Sequence, residues 1–125
     1  EQVEEVRKIS RVSLNSNEIQ YSVFFRQFEA DGTIEYCRKN NLNVIAFRPL
    51  DRGAINTLTK DPLFKELMSK YDVTLAQIAL NWLISKPNVM IWSKSVNRSH
   101  INENLDCTKF IMEMEDQEKI NLWKP

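Results

Sequence analysis

The period of apolar positions changes repeatedly along the chain. From Glu1 to Ser10, Val3, Val6 and Ile9 recur on one side of a predicted helix. Between Asn17 and Val23 the period falls to two, which predicts a strand with Ile19, Tyr21 and Val23 on one face and Glu18 and Gln20 on the other. Asp31-Gly32 then breaks the pattern. Thr33–Asn40 reads as a helix whose last-turn arginine and lysine suit the helix dipole. Asn43–Phe47 holds an unbroken apolar run, as in parallel strands covered on both faces. Pro49–Gly53 reads as a loop. Asp61-Pro62 opens a helix as cap and first-turn proline and carries it to about Tyr71. Thr74 caps the next helix, from Leu75 to about Ser85, with Leu75, Ile78, Ala79 and Trp82 at helical spacing. Val89–Trp92 is a third strand, Asn97 caps a helix from Arg98 to Leu105, and an amphipathic helix runs from Glu115 to Trp123. Strands alternating with helices predict an α/β fold of right-handed βαβ units around a parallel sheet. Residues 1–125 show no linker and no internal repeat, so they read as one unit. Three parallel strands leave two open edges that need covering, and the architecture therefore reads as incomplete.

Composition narrows the classes. The 125 residues carry 17 basic and 17 acidic side chains, and without a basic excess no nucleic-acid partner is expected. No stretch approaches the roughly 18 apolar residues of a membrane span, so no membrane partner is expected either. The acidic start, Glu1-Gln2-Val3-Glu4-Glu5, is unlike the basic opening of a signal peptide. The lack of an initiator methionine points to processing or to a piece of something longer. Cys37 and Cys107 stand far apart and, with a single histidine, make no zinc spacing, so no metal site is expected. Reduced thiols and a cytoplasmic home are expected. Gly32 and Gly53 are the two glycines, too few and too distant for a glycine-rich phosphate loop. Trp82, Trp92, Trp123, Met68, Met112 and Met114 read as packing residues.

Candidate chemistry lies where strands end. The third strand leads into Ser93-Lys94-Ser95-Val96-Asn97-Arg98, which places a lysine, hydroxyls and a capped helix start at the C-terminal end of a parallel strand. Free N–H groups and the helix dipole attract anions there. An ordinary cap with solvated Lys94 and Arg98 is the competing reading. His100 lies in the first turn of that helix, as a surface residue or a ligand contact, with Glu103 and Asn104 one turn on. Phe47-Arg48-Pro49-Leu50 ends the second strand: the aromatic can stack on a planar ring, and Arg48 and Arg52 can meet a diphosphate. A core phenylalanine with solvated arginines is equally open. Glu18 and Gln20 point away from Ile19, towards a barrel interior.

Five stretches, in order, resemble the C-terminal half of an aldo-keto reductase. They are Asn17-Glu18-Ile19-Gln20-Tyr21, Ile34-Glu35-Tyr36-Cys37, Val44-Ile45-Ala46-Phe47-Arg48-Pro49-Leu50-Asp51-Arg52-Gly53, Tyr71 through Leu83, and Lys94-Ser95-Val96-Asn97 through Glu103-Asn104-Leu105. The resemblance implies the C-terminal half of a (β/α)8 TIM barrel, with strands six to eight and flanking helices. A complete barrel has about 250 residues. The family reduces aldehydes and ketones to alcohols with NADPH or NADH, so the implied partners are the cofactor, NADP with NAD also open, and a small carbonyl substrate. By position, Phe47 falls where the nicotinamide is stacked and Glu18 where a glutamine touches the carboxamide. Arg48, Leu50 and Arg52 fall along the pyrophosphate, Lys94, Ser95, Val96 and His100 at the adenosine 2′-phosphate, and Glu103 and Asn104 at the adenine. Arg48 replaces a small hydroxyl residue, Ser93 a frequent proline and His100 a frequent arginine. The family's catalytic aspartate, tyrosine, lysine and histidine come from the other half, so no catalytic residue is expected in this chain. The alternative is a non-catalytic nucleotide-binding half-barrel that dimerises or pairs with a separate N-terminal half.

Overall fold

The computed structural model describes residues 1–124; Pro125, the last residue of the expected unit, lies outside the described residues. Three parallel strands, β1 (Ser16–Gln20), β2 (Asn43–Phe47) and β3 (Val89–Trp92), form a sheet in that order. Helix α1 (Gln2–Ile9) precedes the sheet, and α2 (Gln27–Ala30) and α3 (Thr33–Lys39) connect β1 to β2. A 3-10 segment (Asp51–Lys60), α4 (Pro62–Tyr71) and α5 (Leu75–Ile84) connect β2 to β3, and α6 (Arg98–Leu105) and α7 (Met114–Leu122) follow.

Local chemistry sets the helix starts. Asp61 accepts from the Leu63 N–H at 2.9 Å, with Pro62 in the first turn of α4. Thr74 and Gln77 form a reciprocal capping box on α5. Asn97 Oδ1 accepts from the Ser99 N–H at 2.9 Å and caps α6.

The helices cover one face of the sheet. Ile19, Val44, Ala46 and Val89 are buried there with Cys37, Phe64, Leu67, Ile78, Trp82 and Ile120. Burial along β2 alternates, Val44 and Ala46 being buried and Asn43, Ile45 and Phe47 only partly so. This corrects the expectation of a strand covered on both faces: an apolar run does not reveal that one face lies open. Strand register places Glu18 beside Ile45 and Met90, and Gln20 beside Phe47 and Trp92, on the open face. Met90 and Trp92 are exposed, as is Met114, so Trp92 and Met114 are not the packing residues the sequence suggested.

Two further expectations are corrected, and one element was unforeseen. β1 stops at Gln20 rather than Val23. There the Ser22 N–H donates to the Phe25 carbonyl and the Phe25 N–H to Ser22 Oγ, which turns the buried residues Ser22 and Val23 out of the ladder after a last bond from the Tyr21 N–H to the Phe47 carbonyl. The expected loop 49–53 passes into the 3-10 segment, whose Ile55 and Leu58 are buried. Helix α2 carried no recognised signal in its four residues.

The last helix is tied down at several points. Asp116 is buried, and its carboxylate accepts from Tyr71 Oη at 2.6 Å, Lys70 Nζ at 2.7 Å and Lys119 Nζ at 2.9 Å. Arg26 donates to the Ile120 and Asn121 carbonyls at the end of α7, and Trp123 Nε1 donates to Asp61 Oδ2.

Candidate functional site

Parallel strands that run the same way deliver all their following loops to one end of the sheet. Here those loops are Arg48–Gly53 after β2 and Ser93–Asn97 after β3. A cleft of about 650 Å³ lies between them. Arg48, Leu50 and Arg52 line it from the first loop, Lys94 and Ser95 from the second, and His100, Glu103 and Asn104 from α6. These residues were named separately in the sequence, and the structure gathers them.

The remaining candidates lie elsewhere. Glu18 and Phe47 line a second cleft, of about 820 Å³, on the open face of the sheet with Gln20, Phe28 and Tyr36. Val96 is 95% exposed and lines neither cleft. Arg48 links the two regions, because its guanidinium lies 5.6 Å from the centre of the Phe47 ring.

The first loop has an unusual backbone. Arg48, Asp51 and Arg52 have φ of 53°, 47° and 55°, and Gly53 has 93°. Left-handed conformations at non-glycine residues cost roughly 1–2 kcal/mol each and concentrate at functional segments. Asp51 Oδ1 accepts from Gln20 Nε2 at 3.5 Å. Its other carboxylate oxygen is buried without a hydrogen-bond partner among the described residues.

The cleft is rich in unpaired positive charge. Among the described residues, Arg48, Arg52 and Lys94 are within ion-pair distance of no carboxylate. Glu103 is the one acidic side chain among the lining residues. The N-terminus of α6 adds the positive end of its dipole beside Lys94. Internal bonds fix some of the wall. Asn104 Nδ2 donates to Ser93 Oγ at 2.8 Å, Gln77 Nε2 donates to the Glu103 carbonyl at 3.2 Å, and the Asn97 N–H donates to Ser95 Oγ at 3.1 Å. Among the described residues, no donor reaches the Asn104 amide oxygen. The arrangement suits an extended polyanion with planar ends: separate cations for phosphates, a helix start and amide groups for a ring edge.

The sequence reading missed Trp92 and Ala76 as lining residues. The two-residue period from buried Val89 through Ile91 puts Trp92 on the open face, which was the available signal. Ala76 leaves room through its small side chain, for which no signal existed. Among the described residues no group of three or more His, Cys, Asp or Glu is placed to hold a metal, and no helix is long and apolar enough to cross a membrane.

The sequence profile described as "Aldo/keto reductase family" matches residues 1–122. The NADPH-dependent alpha-keto amide reductase of Saccharomyces cerevisiae is 29% identical over 125 residues, which covers 96% of this chain and 39% of that protein. Aldose reductase C of Dictyostelium discoideum is 29% identical over 105 residues, covering 84% of this chain and 31% of that protein. Among solved structures, the thermostable aldo-keto reductase Tm1743, in complex with epalrestat, superposes with a TM-score of 0.89 and 30% identity. That match covers 94% of this chain and 43% of Tm1743. The chain therefore spans less than half the length of these relatives, and its three strands with flanking helices are a partial (β/α)8 barrel. The chain belongs to the aldo/keto reductase family.

Proposed function

We propose that the chain is the cofactor-binding part of an NADP-dependent reductase of aldehydes and ketones, with residues 1–125 forming the C-terminal half of its barrel. The observation that carries this reading is the cleft at the C-terminal end of the sheet. It brings Arg48, Arg52 and Lys94, free of carboxylate partners, together with the capped start of α6. That donor set fits a pyridine dinucleotide, which carries a diphosphate, an adenosine 2′-phosphate in NADP, and two planar bases. The yeast relative, named as NADPH-dependent, supports the choice of NADP; NAD is the second cofactor to test.

In this reading Phe47 offers a ring face to the nicotinamide and Glu18 a carboxylate to its carboxamide. Arg48 and Arg52 neutralise the diphosphate, with Leu50 packing beside it. Lys94 is the principal charge at the 2′-phosphate, with Ser95 and His100 around it, and Glu103 and Asn104 hold the adenine edge; Val96, which lines neither cleft, takes no part. The cofactor, when bound, supplies the hydride that a carbonyl carbon accepts. The share of this chain is to bind and orient, and the protonating group comes from the other part of the barrel. The partly apolar open face, with Ile45, Phe47, Met90 and Trp92, is the surface against which that part closes, as the same polypeptide, a separate N-terminal half or a second copy. Two buried free cysteines suit a reducing, cytoplasmic setting.

The test is a titration of the full-length protein with NADPH, followed by absorbance at 340 nm with an aldehyde panel. Saturable binding with aldehyde-dependent oxidation is expected. Binding without turnover would favour a non-catalytic nucleotide-binding protein, and absence of binding would contradict the proposal.

A further inference from the structure

The end of the sheet opposite the cofactor cleft carries a second set of unmatched cations. There residues 10–15 lead from α1 into β1, and residues 40–42 lead from α3 into β2. The two links run side by side, because the Asn43 N–H donates to the Asn15 carbonyl at 2.9 Å where β1 and β2 begin. A cavity of about 500 Å³ lies between them, with Arg7, Arg11, Ser13, Asn15, Asn40 and Asn41 in its wall. The five-residue strands, about 17 Å long, separate it from the loops around the cofactor cleft. Every lining residue comes from α1 and its link or from the end of α3 and its link. These elements are neighbours in this chain, so the wall is complete without the rest of the barrel.

Arg7 is held in place from α3. Asn40 Nδ2 donates to the Tyr36 carbonyl at 2.8 Å, which turns its amide oxygen towards Arg7. Arg7 Nη1 donates to that oxygen and, at 3.3 Å, to Tyr36 Oη. Its Nε and Nη2 have no acceptor among the described residues. Arg11 is exposed in the link, and among the described residues no carboxylate lies within ion-pair distance of either arginine. No carboxylate lines the cavity either. Charge balance is the competing role, since α1 and α3 both end here and each presents about half a negative charge. Arg7, in the last turn of α1, fills that role. Two guanidinium groups against two half charges still leave about one positive charge over, and Arg11 lies beyond both helices. Ser13, Asn15 and Asn41 add neutral donors around the pair. No aromatic ring lines the cavity, so it offers no face to a nucleotide base. We infer that this cavity is an anion site for a small phosphomonoester, whose phosphoryl oxygens accept from the free edge of Arg7 and from Arg11. It uses no residue of the cofactor cleft and stands independently of the cofactor reading.

The experiment uses the full-length protein. A combined Arg48→Ala, Arg52→Ala, Lys94→Ala background removes the cations of the cofactor cleft, so that phosphate bound there is not counted. Inorganic phosphate and glycerol 3-phosphate are titrated into this background by calorimetry, with and without Arg11→Gln, in chloride buffer. Tungstate, a phosphate-shaped probe, is located by anomalous scattering in crystals of the wild type. The expected result is that both phosphates bind the background and that Arg11→Gln weakens them by roughly tenfold, the scale of one charge-assisted hydrogen bond. Arg11→Gln alone leaves the melting temperature and the affinity for NADPH unchanged, and tungstate lies between Arg7 and Arg11. Absence of phosphate binding in the background, equal binding with Arg11→Gln, or chloride competing on equal terms would overturn the inference. So would tungstate found only elsewhere, a result that does not depend on the background variant folding.

Discussion

Lys94 and Arg52 carry the same charge into the cleft from opposite walls, but their backbones differ. Lys94 follows β3 without a positive φ, whereas Arg52 holds φ of 55° in the loop after β2. Replacing Lys94 with alanine is therefore a test of charge alone. If Lys94 holds the 2′-phosphate, Lys94→Ala weakens NADPH by roughly ten- to a hundredfold, the scale of a charge-assisted hydrogen bond, and leaves NADH nearly unchanged. Equal losses for both cofactors, measured by titration, would refute that placement. Arg52→Gly removes a charge and a strained conformation together. The relief of left-handed strain offsets the entropy glycine adds to the unfolded chain, so the unfolding free energy should stay within about 1 kcal/mol while NADPH binding weakens. A large loss of stability would show that the Arg52 side chain holds the loop together. Six of the candidate residues that line the cleft were legible because they follow strand ends or sit in a capped first turn, which sequence displays; Glu103 and Asn104 lie one turn further along α6. Trp92 was misread because an apolar run does not say which face is covered. Val96 was included by position, and it is exposed outside the cleft lining.

Helix α7 shows how an element is fixed by charge as well as by packing. Burial pushes the Asp116 carboxyl upward, but hydrogen bonds from Lys70, Tyr71 and Lys119 outweigh burial and hold it below its ordinary value. Its own bonds to Asp116 and Glu66 raise Lys119 to about 12. The unfolded carboxyl titrates near 3.9 and the folded one lower. The stabilisation is therefore complete at neutral pH and is lost as pH falls below about 4. Asp116→Asn should cost about 3 kcal/mol at pH 7, in line with removing one partner of a buried ion pair. That difference from the wild type should shrink as pH falls towards 4 and below, as read by urea unfolding across pH. A pH-independent difference would mean that packing, not charge, is lost. The capping box of α5 makes a simpler case: Thr74→Ala should cost about 1 kcal/mol by thermal unfolding, and no change would show that α5 is held by its buried face alone. The helices with caps or clear periodicity were readable in advance, as was β2 from end to end. The end of β1 was not, because Ser22 and Phe25 bond to each other in a turn that takes the Ser22 N–H from the ladder, an interaction that alternation hides. The 3-10 segment was hidden by its left-handed entry at Arg52 and Gly53.

At the scale of the molecule, the sheet has one face packed under helices and one face open, and the loops after β2 and β3 gather around one cleft. The order of strands and helices made the parallel α/β fold legible, while the open face emerged only from alternating burial in three dimensions. In the proposed reading this partial barrel contributes the cofactor-binding groups, and the proton donor comes from the rest of the barrel. The measurement that tests this most directly is NADPH binding and carbonyl-dependent NADPH oxidation by the full-length protein, with wild type and a combined Arg48→Ala, Arg52→Ala, Lys94→Ala variant side by side. The account predicts tight binding and aldehyde-dependent turnover in the wild type, and in the variant a KM for NADPH raised at least tenfold with kcat changed much less. A wild type that does not bind NADPH, or a variant that binds it as tightly as the wild type, would contradict it.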